Sequence, residues 1–197
     1  MGQAVSRVAK EALLVGLVVA GAGCATAPPP TLAPYREALA ATAADRLGLD
    51  GAERESVRSA LDHYLVAFGR YSEATIAADV RALYTADAYF NDQIKELRSA
   101  EAIAAYLERS ASYLIAPAIE IEHAVIADGE AYVRWTMEFH TRRRPTGEPT
   151  ATRGISHLRF NRSGRITFHV DTWDVGAAVY EGVPVLGTLV RAVRRRL

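Results

Sequence analysis

The sequence predicts an α+β domain, and three observations carry that expectation. Apolar residues at helical spacing occupy the first half of the folded region, segments rich in branched and aromatic residues occupy the second, and glycine-containing turns separate those segments. Helices first and hairpin-linked strands after is the order of an α+β fold, not of alternating βαβ units.

Residues 34–47 are alanine-rich and read as a helix, ended by Gly48 and Gly51, that packs only loosely. Over residues 53–70, Val57, Leu61, Tyr64, Leu65 and Phe68 recur at the three-and-four spacing of an amphipathic helix. A second helix is predicted over 73–84 and a third over 100–111, with Ser99 as its N-cap and Glu101 in its first turn. Between them Ala88-Tyr89-Phe90 reads as a short strand. Strands are predicted over 119–127, 131–141, 152–160 and 165–173. Asp128-Gly129 and Ser163-Gly164 supply tight turns, and Pro145-Thr146-Gly147 a longer one. The tail carries Pro184 and Gly187 and ends in Arg194-Arg195-Arg196, which predicts a short helix whose cations meet the negative end of its dipole. A lipid-facing tail is the sharper reading, to which three arginines lend a modest attraction; the dipole reading is preferred.

Of the 197 residues, 50% are hydrophobic and 23% charged, which places the chain with globular proteins of one ordinary domain. Lys+Arg and Asp+Glu both number 23, so no net field gathers nucleic acid. The single cysteine, Cys24, excludes an intrachain disulfide, a zinc knuckle and a thiol redox pair. His63, His123, His140, His157 and His169 form no helical i, i+4 pair, so no metal site is expected; His157 and His169 fall on adjacent predicted strands and could face each other. There is no nucleophile elbow, phosphate loop or dinucleotide fingerprint, and no cofactor is expected.

Arg7 and Lys10 precede an apolar or small-residue run from Ala12 to Gly23, a length that suits an export segment and is too short to span a bilayer. Gly21, Ala22 and Gly23 lead into Cys24, an arrangement that resembles the lipobox of bacterial lipoproteins, with Gly21 standing where the pattern prefers leucine. The resemblance implies a signal peptide over residues 1–23, a lipid on Cys24, and a place in the cell envelope outside the cytoplasm. Residues 24–52, with Pro28, Pro29 and Pro30, then form a tether and a short helix.

Four stretches, His63-Tyr64-Leu65-Val66-Ala67-Phe68, Asp87-Ala88-Tyr89-Phe90-Asn91-Asp92, Leu97-Arg98-Ser99-Ala100-Glu101-Ala102-Ile103 and the run from Gly154 to Asp174, carry a second likeness. Over residues 53–180 the chain resembles the SnoaL-like group of the nuclear transport factor two-like superfamily. That implies a cone-shaped, curved antiparallel sheet wrapped around about three helices, with 181–197 left as a basic tail.

In such a cone, Tyr64 and Asp92 stand where similar steroid isomerases carry an oxyanion-hole tyrosine and a carboxylate base, and Ser156 stands where they carry a second, acidic donor. Asp171-Thr172-Trp173-Asp174 is similar to the segment that opens with the catalytic aspartate of related epoxide hydrolases, whose arginine and second aspartate are replaced here by Trp135 and Met137. The resemblance therefore offers Asp92, Tyr64 and Asp171 as catalytic candidates. Ser156, Trp135, Met137 and Trp173 are its binding candidates, around a small, largely apolar molecule. Bland readings stand beside these: Tyr64 as a core aromatic, Asp92 as a turn cap, and Trp135, Met137 and Phe139 as a face packed against a helix or a second copy. The exposed sheet face is the expected surface of a homodimer. Three functions stay open, a binding protein, an isomerase or lyase, and a structural envelope protein.

Overall fold

Local chemistry sets the helix boundaries. Helix α1 (Ala33–Ala41) runs into a 3-10 turn (Ala43–Arg46), and α2 (Gly51–Gly69), α3 (Ile76–Leu83) and α4 (Ala100–Ser112) follow. α2 begins with a capping box: Asp50 Oδ1 accepts from the Glu53 N–H and Glu53 Oε2 accepts from the Asp50 N–H, both at 2.9 Å. This reciprocal pair starts the helix at Gly51, ahead of the first periodic apolar residue. α4 is capped by Ser99, which accepts from the Ala102 N–H at 3.2 Å.

The computed structural model describes residues 31–46, 49–127, 129–182 and 185–196. The export segment, Cys24 and the proline stretch lie outside them, as does Asp128 of the first predicted turn. The chain divides into two compact units, 1–34 and 35–197. In the first, the Ala33 N–H donates to Thr31 Oγ1 at 3.4 Å. Among the described residues no helix is long and apolar enough to cross a membrane.

The second unit is an α+β fold with a curved six-stranded sheet. Its strands are β1 (Tyr84–Asn91), β2 (Glu96–Arg98), β3 (Leu114–Ala127), β4 (Glu130–Thr141), β5 (Thr150–Phe160) and β6 (Ile166–Trp173). They lie in the order β2-β1-β6-β5-β4-β3, and every pair is antiparallel except β1 with β6. Three elements depart from the sequence reading. β1 takes residues 84–87, the first of them assigned by periodicity to the second helix, because Tyr84 pairs with Ile166 and Phe90 with His169. β2 was not anticipated. β3 starts at Leu114, with a register shift between Ile115 and Ala118 where Ala116 has φ 48° and Pro117 has no N–H to give the ladder.

Alternation along β6 separates two faces. Ile166, His169, Asp171 and Trp173 look inward, and Phe168 and Val170 look outward, the odd spacing being absorbed by a register shift near Phe160. The main core lies between the inner face and α2, α3 and α4, where Val57, Ile76, Val80 and Ile103 meet Phe90, Val133, Leu158 and Phe160. Each such side chain contributes roughly 1.5–3 kcal/mol by leaving water.

The outer face is covered in part by α1, and the expectation of loose packing there is overturned. Tyr35, Ala38 and Leu39 pack on Tyr89, Phe168 and Val170. Buried Arg159 donates to the Leu39 carbonyl at 2.7 Å, to Thr42 Oγ1 at 3.0 Å and to Glu130 Oε1 at 3.1 Å. A guanidinium under cover needs acceptors, and the 35–42 segment supplies two of the three. After β6, Asp174 caps the single turn α5 (Val175–Ala178), a 3-10 turn spans Tyr180–Gly182, and α6 (Leu186–Arg194) closes the described chain.

Candidate functional site

The pairing of β5 with β6 sets Ser156 opposite Asp171 and Leu158 opposite His169, while β4 brings Val133 beside Ser156 and Trp135 beside Gly154. Tyr64 arrives from α2, buried, with its ring stacked on Phe68 at 4.3 Å. Three hydrogen bonds meet at one hydroxyl: Ser156 Oγ accepts from Tyr64 OH at 3.1 Å and from Trp135 Nε1 at 3.0 Å, and donates to Asp171 Oδ1 at 2.5 Å. That uses the one proton and two lone pairs a serine possesses.

Asp171 Oδ1 also faces His169 Nε2 at 2.9 Å. A carboxylate accepts, so Nε2 carries the proton, and in the neutral ring Nδ1 accepts from Tyr84 OH at 2.6 Å. His169 has no exposed surface, and the rings of Phe90 and Phe68 meet its plane edgewise at 5.0 and 5.8 Å. The result is a continuous chain from Tyr84 through His169 and Asp171 to Ser156, Tyr64 and Trp135. Burial, then the negative charge of Asp171, pushes the Tyr64 hydroxyl well above the ordinary phenol range, against the lowering effect of its bond to Ser156. Tyr84 is pushed the same way by burial, then by Tyr64 and Asp171. Both phenols therefore keep their protons and act as donors at neutral pH.

Asp171, like Trp135, is only partly buried. Its side chain is 17% exposed, both of its hydrogen bonds fall on Oδ1, and among the described residues none reaches Oδ2. Trp135 and Trp173 flank it, with ring centroids 6.4 Å apart. Gly154 makes room for the Trp135 indole, since a Cβ there would lie 2.4 Å from Trp135 Cζ2.

Asp92 sits at the turn after β1. Its Oδ1 accepts from the Ile94 and Lys95 N–H groups at 3.0 and 2.8 Å, and its Oδ2 accepts from Tyr106 OH at 2.6 Å. This is the turn-cap geometry that favours aspartate. Among the described residues no hydrogen bond joins it to Tyr64; its link to the site is through Trp173, whose Nε1 donates to the Asp92 carbonyl at 2.7 Å. Tyr71, whose hydroxyl donates to the Leu107 carbonyl at 2.9 Å, is raised by burial and then by the charges of Asp92 and Asp171 together.

Of the candidates taken from the sequence, the structure brings Tyr64, Ser156, Asp171 and Trp135 into one bonded group and sets Trp173 beside it. Met137, opposite Thr152 and half-buried, shares the strand face of Trp135. Sequence reasoning missed His169 and Tyr84 as members. The signal for His169 was present, since a residue two before Asp171 on one strand shares its face. The suggestion that His157 and His169 face each other is corrected: His157 pairs with Val170 and looks outward, where it bonds Glu130 at 2.5 Å and stacks on Tyr132 at 4.6 Å. Burial alone would raise the Glu130 carboxyl, but hydrogen bonds from His157 and Arg159 hold it below its ordinary value. Among the described residues no group of three or more His, Cys, Asp or Glu is placed to hold a metal ion. A surface recess of about 700 Å³, lined by Glu55, Ser59, His63, Leu83, Ser163 and Arg165 among others, contains none of the candidate residues.

A curved sheet closed over helices, with its polar groups gathered on the inner face of the last two strands, defines a nuclear transport factor two-like domain. The chain belongs to the SnoaL-like family: a family model described as SnoaL-like domain matches residues 56–169, more than half of the sequence. It is similar in fold to TsrD from Streptomyces laurentii, at 19% identity and a TM-score of 0.52, covering 66% of this chain and 94% of that one. A protein with a ketosteroid isomerase-like fold from Catenulispora acidiphila, solved with trimethylamine, is 20% identical with a TM-score of 0.51, covering 58% of this chain and 88% of its own. An LEH-like epoxide hydrolase from M. tuberculosis is 18% identical with a TM-score of 0.50, covering 72% and 97%. At these identities the likeness shows the fold. No curated protein matches the chain.

Proposed function

We propose that this protein is a lipid-anchored, extracytoplasmic binder of a small, largely apolar molecule that carries a hydrogen-bond donor. The observation that carries the reading is Asp171, whose Oδ1 is fixed by Ser156 and His169 while its Oδ2 is left for an incoming donor beside two indoles. Small-molecule sites are apolar with a few convergent polar groups, which two indoles beside one carboxylate would supply, and a carboxylate already oriented loses little freedom on binding. The anchor rests on the sequence before Cys24. An isomerase or lyase with Asp92 as base and Tyr64 as oxyanion donor has less support, because both Asp92 oxygens are engaged and the Tyr64 hydroxyl is spent on Ser156. A homodimer would use the part of the outer face that carries exposed Val125, Tyr132 and Ile155.

Both tryptophans of the chain belong to this site, so emission excited selectively at tryptophan, apart from the nine tyrosines, reports it. A panel of apolar amines, alcohols and enolisable ketones is titrated against the chain. We expect a saturable change in emission with at least one donor-bearing compound, weakened at least tenfold by Asp171→Asn under conditions where circular dichroism shows the variant folded. Flat emission across the panel, or binding indifferent to Asp171→Asn, rejects the reading. For the anchor, a labelled fatty acid fed to a bacterial host should enter the wild-type chain and be absent from Cys24→Ser; no label in the wild type rejects it.

A further inference from the structure

Helix α6 is attached to the domain by the wrong side for a soluble amphipathic helix. Gly187 backs onto the Glu181 carbonyl too closely to admit a Cβ. Arg191 Nη1 donates to that carbonyl at 3.1 Å, and Arg194 bonds Asp174 Oδ1 at 2.5 Å and lies 3.4 Å from Glu181 Oε1. The helix is therefore held through glycine and arginine. Its apolar stripe is left outside: Leu186, Leu189 and Val193, at i, i+3 and i+7, are 40%, 59% and 57% exposed, with half-buried Val190 beside them. An apolar stripe ordinarily faces the core, and this one faces away from it.

Cations stand at the C-terminal end of that stripe. Arg195 and Arg196 follow α6, exposed and without a partner among the described residues, so four arginines stand here against the two carboxylates of Asp174 and Glu181. The dipole reading accounts for cations at a helix C-terminus but leaves the exposed leucines and valine without a role. A surface that is apolar along one line and cationic at its end is complementary to acyl chains beneath anionic headgroups.

We propose that α6 lies in the surface of an anionic lipid bilayer, with Leu186, Leu189, Val190 and Val193 at the acyl boundary and Arg195 and Arg196 at the phosphates. The proposal rests on the helix and does not require the lipid on Cys24. The test uses the full chain with Cys24→Ser and one new thiol, Leu189→Cys, Val193→Cys or Thr188→Cys, labelled with an environment-sensitive nitrobenzoxadiazole probe. Vesicles of phosphatidylcholine alone, and of equal parts phosphatidylcholine and phosphatidylglycerol, are added. We expect a blue shift and intensity gain at 189 and 193, smaller at 188, with the anionic vesicles. Arg195→Ser with Arg196→Ser should raise the lipid concentration for half the change about thirtyfold, from about fivefold per arginine. No shift at 189 and 193, an equal response at 188, or an equal response to neutral vesicles overturns the proposal. A shift without vesicles that grows with protein concentration also overturns it and assigns the stripe to a second copy. The labelled positions lie outside the core, so circular dichroism should show the native fold in each variant.

Discussion

Ser156→Ala tests whether the inner-face chain is as tightly coupled as its geometry implies. The replacement removes three hydrogen bonds and strands the Tyr64 hydroxyl, a buried donor. The other acceptor in reach is His169 Nε2 at 3.5 Å, but that nitrogen carries the proton given to Asp171 and cannot accept. A buried donor left unsatisfied costs about 1–3 kcal/mol and the remaining bonds about 1 kcal/mol, so the expected loss is about 2–4 kcal/mol. Trp135 is only partly buried, so losing its bond costs less than stranding the Tyr64 hydroxyl. Tyr64→Phe removes the donor instead. Ser156 then still accepts from Trp135 and donates to Asp171, and the expected loss is about 1 kcal/mol. Once the Tyr64 hydroxyl is absent there is nothing to strand, so the double replacement should fall short of the sum of the singles by about 1–3 kcal/mol. Urea unfolding followed by circular dichroism, with the slope unchanged across the four proteins, measures each difference. Equal losses for Ser156→Ala and Tyr64→Phe, or strict additivity in the double, would refute the three-bond assignment at Ser156.

Arg159→Met removes a cationic donor from half-buried Glu130 and frees the Leu39 carbonyl and Thr42, so it should cost about 3–5 kcal/mol and speed amide exchange across 35–42 more than in α4; uniform exchange would contradict the clamp. Tyr64 and Tyr84 have folded-state pKa values raised above the ordinary value of 10.0, so their contribution is complete below the unfolded value and is lost as pH rises toward the folded one. Stability should therefore fall above about pH 10, with part of the phenolate absorbance appearing only as the chain unfolds; full, non-cooperative ionisation of all tyrosines would oppose this.

How far the site could be read beforehand differs by residue. Tyr64, Ser156, Asp171 and Trp135 were reachable only through the resemblance of their segments to a SnoaL-like domain; strand period adds that Asp171 and His169, two apart, share a face. Asp92 shows the opposite case. Aspartate at the end of a strand serves equally as turn cap or pocket acid, and the choice was made by Ile94, Lys95 and Tyr106, the last of which comes from α4. Residues 35–42 were misjudged because a short alanine-rich helix has a weak pattern, and its partners, Phe168 and Arg159, lie more than a hundred residues away.

The sequence by itself determined the α+β class, the two long helices with the Ser99 cap of the second, and the four hairpin-linked strands, since those depend on side-chain periodicity and turn chemistry within a few residues. Tertiary structure decided the start of β1 at Tyr84, the parallel seam with β6, the burial of His169, and the outward turn of the α6 stripe. Each of these is settled by which distant surface a segment covers or leaves open, and local propensity, worth tenths of a kcal/mol per residue, yields to burial worth several times more.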